Sequence, residues 1–328
     1  MSKIILILVV ATTLIAGSGS DLFCQDYPNR PISLIIPMAP GDALDITGRL
    51  MGEALSRTLK ISVVPLNKPG AGGAVGTNFV AKSKNDGYTL LMVNSASVIS
   101  AKILHPEDVN YDPFKDFTPL GLTTITPTVV TVRSDSPFKK LIELADYSKK
   151  NPGKIRCATP GLGTLADLNI SNIRTSTGAD ITVVPFKGAS PAITALIGGH
   201  VEMSTSAITP VIDHLRSGEV IIDHLRSGEV RGLVISKKVL EFSNISTLRE
   251  LGFPRDLFGV WFALFAPAGI PSEVKEKLVP AIEKVVKDPM IVSRMGKMGL
   301  IQEYDPPDKL LQDWTKEYKL AEEIAKKE

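Results

Sequence analysis

Loops rich in glycine and proline follow several apolar runs of this chain, and what they offer chemically is backbone N–H groups. The first loop, Pro37–Asp42, separates the apolar run 32–36 from a helical pattern that begins at Leu44. The first amides of a helix are unpaired and its amino end carries a positive dipole, so such a loop can bind an anion. Asp42 places a negative charge in the same loop.

Two later loops have the same setting. Pro160–Thr164 lies between a predicted strand and a predicted helix, and the loop at 184–190 contains Lys187 beside Gly188. Glycine clusters most often mark a tight turn. Their position after strands favours a binding role, because helix ends from two domains could then face each other across a cleft.

The remaining side chains give little support for catalysis. The histidines are His105, His200, His214 and His224. They form no metal-spaced cluster, and the chain contains no nucleophile elbow and no phosphate-binding P-loop. Gly70, Gly72 and Gly76 depart from the dinucleotide spacing. We therefore predict no enzyme, no cofactor and no metal site.

Composition restricts the class of protein further. The 328 residues are 44% hydrophobic and 22% charged, which predicts a protein with real apolar cores and room for two domains. Thirty-seven Lys and Arg against 35 Asp and Glu leave a net charge of +2, and 6% of the residues are aromatic. Such a balance argues against nucleic-acid binding.

The amino-terminal segment predicts export. Lys3 precedes an apolar run that extends to Ala16 and is followed by small residues, as in a secretory signal peptide spanning 1–20 and cleaved near Ser18–Ser20. The alternative is a membrane anchor, but the run is shorter than the roughly 20 residues that span a bilayer. We expect a periplasmic protein in which Cys24 lies in a tail and Cys157 is a buried apolar residue.

Short apolar strands alternate with amphipathic helices, as expected for an α/β fold. We predict strands at 32–36, 62–66, 88–93, 128–133, 155–158, 182–186, 201–205, 230–236 and near 259–265. We predict helices at 44–59, 74–83, 139–149, 165–176, 189–198, 209–217, 272–287 and 307–326. Crossings at 123–127 and 236–246 would divide the chain into a discontinuous first domain, 27–126 with 241–328, and a second domain, 127–240.

A ten-residue segment occurs twice in tandem. Residues 211–220 and 221–230 match at nine of ten positions. Ten residues at 3.6 per turn do not return to the same helix face. We expect one copy to pack and the other to bulge outward.

Several short motifs, in this order and spacing, resemble the periplasmic substrate-binding proteins of tripartite tricarboxylate transporters, the Bug-type or TctC-like receptors. The resemblance runs from about Tyr27 to the carboxyl terminus. The motifs are Tyr27–Ile32, Pro40-Gly41 with Asp45, Asn67–Gly73, Asp86–Leu90, Tyr111–Pro119, Asn151–Lys154, Val184–Gly188 and Ala266–Gly269.

The resemblance implies a two-domain periplasmic binding protein of type II, a Venus flytrap with its ligand cleft between the domains. It implies a monomeric receptor that binds a small organic carboxylate or amino acid and delivers it to membrane permease subunits. The ligand-binding positions that it implies are Ala39, Pro40, Gly41, Asp42, Asp45, Ser95, Gly161, Gly163, Thr164, Lys187, Gly188 and Ser206. The alternatives are an exported enzyme acting on a small carboxylate derivative and a receptor that serves a sensor protein.

The chain departs from the family pattern at two acidic positions. Asp42 stands where the family usually has a second glycine, and Asp167 where it commonly has histidine. Both changes make the expected cleft more acidic. We hypothesise that the ligand carries an amino group beside its carboxylate.

Overall fold

The computed structural model describes residues 27–104, 106–162, 164–217 and 230–326, which form two β-sheets flanked by helices. The predicted signal peptide 1–20, Cys24, His105, Gly163 and all of the second repeat copy except Val230 lie outside these residues.

The described strands are β1 Ile32–Ile36, β2 Val63–Asn67, β3 Thr89–Asn94, β4 Phe117–Thr126, β5 Thr128–Arg133, β6 Arg156–Thr159, β7 Thr182–Pro185, β8 Met203–Ala207, β9 Val230–Ile235, β10 Val260–Pro267 and β11 Ile301–Asp305. The described helices are α1 Ala43–Leu59, α2 Ala74–Ala81, α3 Ala101–Leu104, α4 Leu141–Lys150, α5 Leu165–Thr177, α6 Ala189–Ile197, α7 Ile212–Ser217, α8 Ser272–Val286, α9 Pro289–Gly296 and α10 Pro307–Ala325.

The first sheet has the strand order β11-β4-β10-β3-β1-β2 in the described residues. β1 is parallel to both β2 and β3, and β10 is antiparallel to its neighbours β3 and β4. β1, β2, β3 and β4 therefore point the same way, and their carboxyl ends lie at one edge of the sheet. Parallel strands of this kind are buried on both faces, which explains why four of the five residues of β1 are apolar and buried.

The second sheet has the order β7-β6-β8-β5-β9 in the part of the chain that the structure describes. β6 is parallel to β7 and β8, whereas β5 is antiparallel to β8 and β9. Thr128, which begins β5, pairs with Ala207 at the end of β8. The carboxyl ends of β6, β7 and β8 therefore lie at the edge where β5 begins.

A single residue, Pro127, joins β4 of the first sheet to β5 of the second. This short link places the carboxyl-end edges of the two sheets beside each other. The chain returns between Ile235 and Val260, and the return is fixed to the link because Ser236 accepts a hydrogen bond from the Thr128 amide at 2.9 Å. Ligands in open α/β sheets bind outside the carboxyl ends of the strands. The fold thus brings two such edges together.

Apolar clusters cover both faces of each sheet. In the first sheet, α1, α8 and α9 pack on one face and α2 and α10 on the other. In the second sheet, α4 and α5 pack on one face and α6 and α7 on the other. α5 also contacts the first sheet's layer, since Leu165 and Leu168 belong to the same cluster as Trp314 of α10.

The sequence-based assignment of elements differs from the structure at several places, and it included neither β4 nor α3. Residues 123–126 belong to β4 and not to a crossing, since the crossing is Pro127 alone. β11, α9 and the π-helical segment Ala96–Ser100, which leads into α3, were not predicted. The domain bounds given above remain a prediction.

Two smaller features concern Cys157 and the repeat. Cys157 is a free, buried cysteine, as predicted. In the first repeat copy, Val211, Ile212 and Leu215 are buried in the second sheet's core. The bulging of the second copy stays a prediction. No helix among the described residues is both long and apolar enough to cross a bilayer.

Candidate functional site

The described candidate residues all lie at the two adjoining sheet edges. Loops after β1 and β3 form what we call the first wall, and loops after β6 and β7, with the end of β8, form the second wall. The first wall holds Ala39, Pro40, Gly41, Asp42, Asp45 and Ser95; the second holds Gly161, Thr164, Lys187, Gly188 and Ser206. Gly163 lies outside the described residues. The ligand-binding role of these positions stays a prediction.

A buried carboxylate fixes the loop that follows β1. Asp45, in the first turn of α1, is 2% exposed and accepts a hydrogen bond from the Gly41 amide at 2.8 Å. Gly41 has a φ of +87°, a left-handed conformation that favours glycine. Asn67, at the end of β2, donates to Asp45 Oδ1 at 2.7 Å and to the Met38 carbonyl at 3.0 Å. The loop is therefore held from both ends without a ligand.

Asp45 stays ionised because its partners outweigh its burial. Burial alone would raise the pKa of this carboxyl, but hydrogen bonds from Arg49, Asn67 and the Gly41 amide hold the pKa below its ordinary value. Arg49 donates from Nε at 3.0 Å and also bonds Asn67 at 2.7 Å. The charge of Asp45 is thus neutralised inside the wall.

Asp42 is the N-cap of α1. Its Oδ1 accepts the Leu44 amide at 2.8 Å, which satisfies one of the unpaired amides at the start of the helix. The residue is exposed, yet surrounding protein raises the pKa of its carboxyl by desolvation, the Leu44 bond lowers it, and Asp45 raises it further.

The glycines of the 70–76 segment serve packing. A Cβ at Gly73 would lie 2.3 Å from Ser97 Oγ, and a Cβ at Gly76 would lie 2.8 Å from both the Lys68 carbonyl and Pro37. Glycine thus lets α2 approach the end of β1 closely. These contacts explain the glycine cluster without a nucleotide.

Ser95 lies behind the surface of the first wall. It is fully buried, and its hydroxyl accepts the Trp261 amide at 3.3 Å. Trp261 lies in β10 and donates its indole N–H to Glu317 of α10 at 2.7 Å. Burial raises the pKa of Glu317 to about 7, although the bond from Trp261 lowers it.

The second wall is built from two adjacent loops. The Gly188 amide donates to the Pro160 carbonyl at 2.9 Å, and Gly188 has a φ of +112°. Thr164 is the N-cap of α5 but makes no side-chain cap bond; its hydroxyl donates to the Gly161 carbonyl at 2.9 Å. Lys187 is exposed. The amino end of α5 therefore has no cap from Thr164 and lies beside a surface cation.

Ser206 contributes less directly than the other positions. It is 3% exposed, and its hydroxyl donates to the Ala207 carbonyl at 3.1 Å. In this conformation Ser206, like Ser95, is already bonded within the protein.

Sequence reasoning missed the residues that support the walls. Asn67 and Arg49 hold the first loop, and the Trp261–Glu317 pair lies beneath Ser95. Asn67 ends an apolar strand, and a polar amide at that position is the signal that could have identified it. Nothing in the spacing of Trp261 and Glu317 indicates their contact, because 56 residues separate them.

The described part of the chain contains no group of His, Cys, Asp and Glu side chains placed to hold a metal ion. The first wall exposes the Asp42 carboxylate, and what the second wall offers is the amino end of α5 and the exposed Lys187 side chain. The groups of the second wall recognise a small polar anion.

Comparison with known proteins identifies the family. The sequence of residues 47–326 matches the family model of the tripartite tricarboxylate transporter family receptor. The chain belongs to this receptor family. It is 30% identical to the protein BugT of Bordetella pertussis over 295 residues, which cover 89% of this chain and 87% of BugT.

Solved structures of receptor-family relatives share the whole fold. A Rhodopseudomonas palustris protein with adipate, Rpa4515, has a TM-score of 0.76 at 25% identity and covers 92% of this chain and 98% of its own. MatC of the same organism, with bound malate, has a TM-score of 0.72 at 28% identity, covering 91% and 100%. The chain therefore has the two-domain α/β fold of periplasmic binding proteins, as predicted. Its relatives are solute-binding receptors.

Proposed function

We propose that this protein is an exported, non-enzymatic solute receptor. It binds a small organic carboxylate between the first and second walls and delivers it to the permease subunits of a tripartite tricarboxylate-type transporter. The observation that carries the proposal is the meeting of two carboxyl-end sheet edges at Pro127, each with loops that present polar groups.

The chemistry of the walls supports a carboxylate. The amino end of α5 and the exposed Lys187 supply positive potential on the second wall. Two relatives of the same fold hold adipate and malate, which are dicarboxylates. A ligand of that kind could contact both walls at once.

The two walls would close on the ligand by a hinge motion at the two segments that join the sheets. The walls are joined through Pro127 and through the return segment anchored by Ser236, so a ligand that contacts both walls favours the closed arrangement. The permease would then distinguish the closed receptor from the open one.

Calorimetric titration with malate, adipate, succinate, aspartate and glutamate tests the proposal. We expect at least one of them to bind and to raise the melting temperature, because a ligand that binds only the folded state stabilises it. The recovered ligand should be chemically unchanged, as a receptor requires. Absence of binding across the panel, or conversion of the ligand, would contradict the proposal.

Lys187→Met provides the site-specific version of this test. We expect weaker ligand binding, because the second wall loses its exposed cation. The matched control is Lys154→Met, which removes an exposed lysine just before the amino end of β6, at the opposite edge of the same sheet. Equal effects of the two substitutions would place the ligand elsewhere.

A further inference from the structure

The amides at the start of α1 are already occupied by carboxylates of the chain itself. Asp42 accepts the Leu44 amide at 2.8 Å, and Asp45 accepts the Gly41 amide at 2.8 Å. Arg49 neutralises Asp45. Within the described residues, no ion pair joins Asp42 to a lysine or arginine, and the negative charge of Asp45 acts on its carboxyl. The first wall therefore exposes a negative group that lacks a cation.

The start of α5 has the opposite character. Thr164 makes no side-chain cap bond there. Beneath it, the Thr159 hydroxyl is fully buried and has no hydrogen-bond partner in the described chain. Buried hydroxyls normally have a partner, so an unpartnered one indicates a group that belongs to a ligand or a water.

The direction of the Thr159 side chain follows from the strand. Residues two apart in a strand point to the same face of the sheet. Cys157 lies in the same apolar cluster as Ile170 and Ile173 of α5, so its side chain is on the α5 face. Thr159 lies two residues closer to the carboxyl end of β6, so its side chain is on the same face, at the end of the strand from which the chain leads into α5.

Charges of both signs lie near the second wall. Lys187 is positive and exposed, and the amino end of α5 adds positive potential. Asp167 in the first turn of α5 is negative, and its Oδ1 is buried. Two positive contributions against one negative charge make the second wall more favourable to an anion than the surroundings of Asp42.

From this asymmetry we propose that the ligand is a small amino carboxylate bound in a fixed orientation. Its carboxylate lies at the start of α5, where it accepts from the helix amides and the Thr159 hydroxyl, and its ammonium group pairs with Asp42. This inference rests on the proposed receptor function and specifies its ligand class and the residue that selects it.

Matched ligand pairs test the class. Aspartate differs from succinate, and glutamate from glutarate, by the ammonium group alone. We expect the amino member of at least one pair to bind at least tenfold more tightly, because a hydrogen bond to a charged group supplies an advantage of about that size. Equal or tighter binding of the dicarboxylate members would overturn the inference and leave the receptor function intact. Binding of malate or adipate with none of these four would also overturn the inference and leave the receptor function intact, whereas binding of none of the six acids would contradict the receptor function.

Asp42→Asn tests the selecting residue, since asparagine caps a helix as well as aspartate does. We expect the amino member to lose about tenfold in affinity and the dicarboxylate member to lose nothing. The matched control is Asp288→Asn. Asp288 caps α9 with a bond of the same length, 2.8 Å to the Met290 amide, and α9 packs on a face of the first sheet. An unchanged preference in the Asp42 variant would overturn the assignment.

Thr159→Val tests the carboxylate end, because valine keeps the shape of threonine and lacks the hydroxyl. We expect both members of each pair to lose affinity by a similar factor, since both carry the carboxylate. The melting temperature without ligand should not fall, because the hydroxyl has no partner to lose. Unchanged affinity for both members would show that the ligand carboxylate does not contact the Thr159 hydroxyl.

Discussion

Asp42 and Asp45 are three residues apart, yet the fold gives their carboxylates different surroundings. Asp45 is buried and accepts hydrogen bonds from the Gly41 amide, Arg49 and Asn67, whereas Asp42 is exposed and accepts the Leu44 amide. From the sequence, both are acids near a helix start. Only the folded positions of Arg49 and Asn67 separate the structural acid from the exposed one.

Asp45→Asn should destabilise the protein by about 1–3 kcal/mol at neutral pH, because the charged partner of Arg49 is lost. The folded-state pKa of Asp45 is lowered, so its stabilisation is present above the ordinary pKa and is lost as pH falls through the folded value. The difference between the parent and the variant should therefore shrink under acid conditions. Urea unfolding at neutral and acid pH measures this, with the exposed Asp146→Asn as control.

Glu317 should give the opposite pH dependence. Its folded-state pKa is raised to about 7 by burial, so its contribution to stability is fully present below the ordinary glutamate pKa and is lost as pH rises through about 7. We expect the parent protein to lose about 1–3 kcal/mol between about pH 5 and pH 8 and Glu317→Gln to lose less. Glu276→Gln, an exposed position on α8, is the control, and an identical pH profile for all three proteins would contradict the prediction.

At the scale of elements, α5 connects the two halves of the molecule. Its Asn169 side chain is fully buried and pairs with the backbone of Phe258, accepting its amide at 2.7 Å and donating to its carbonyl at 3.0 Å. Phe258 lies in the return segment between β9 and β10. These hydrogen bonds hold α5, whose amino end is part of the second wall, against the segment that leads into β10 of the first sheet.

Asn169→Ala should cost about 2–4 kcal/mol, because two buried backbone groups of Phe258 lose their partners. Denaturant unfolding measures the loss, and a fall in ligand affinity should accompany it if the wall shifts. Asn110→Ala, at an exposed position, serves as the control. A cost no larger than that of the control would show that water replaces the asparagine amide.

How far the sequence predicts the elements depends on what each strand contains. β1 and β5 were predicted with the bounds they have, because β1 is apolar except at Ser33, β5 is rich in β-branched residues, and both strands are mostly buried. β4 was missed because Pro119 and Gly121 interrupt its pattern, and its pairing with β10 is irregular there. β11 has polar residues and a place at the sheet edge, so alternation alone did not reveal it. The loops of the site were located from glycine and proline, but their hydrogen bonds depend on contacts distant in sequence.

On the scale of the whole molecule, we predict that the tandem repeat adds a segment that the core does not require. The first copy already supplies Ile212 and Leu215 to the second sheet's core. Deletion of residues 221–230 should therefore raise the melting temperature or leave it unchanged, since ten residues do not return to the same helix face. Calorimetric unfolding of the deletion variant measures this, and a marked fall would show that the second copy also packs.

The way the chain leaves and re-enters the first sheet has a consequence for folding order. β4 and β10 are neighbours, with Thr126 opposite Val260, although the entire second sheet lies between them in sequence. Bringing together the ends of so long an unfolded segment costs chain entropy, and a compact intervening segment lowers that cost. We expect the second sheet to collapse first and the β4–β10 pairing to be a late, slow step, because such non-local contacts fold slowly. The molecule would then acquire its second wall before its first sheet is complete.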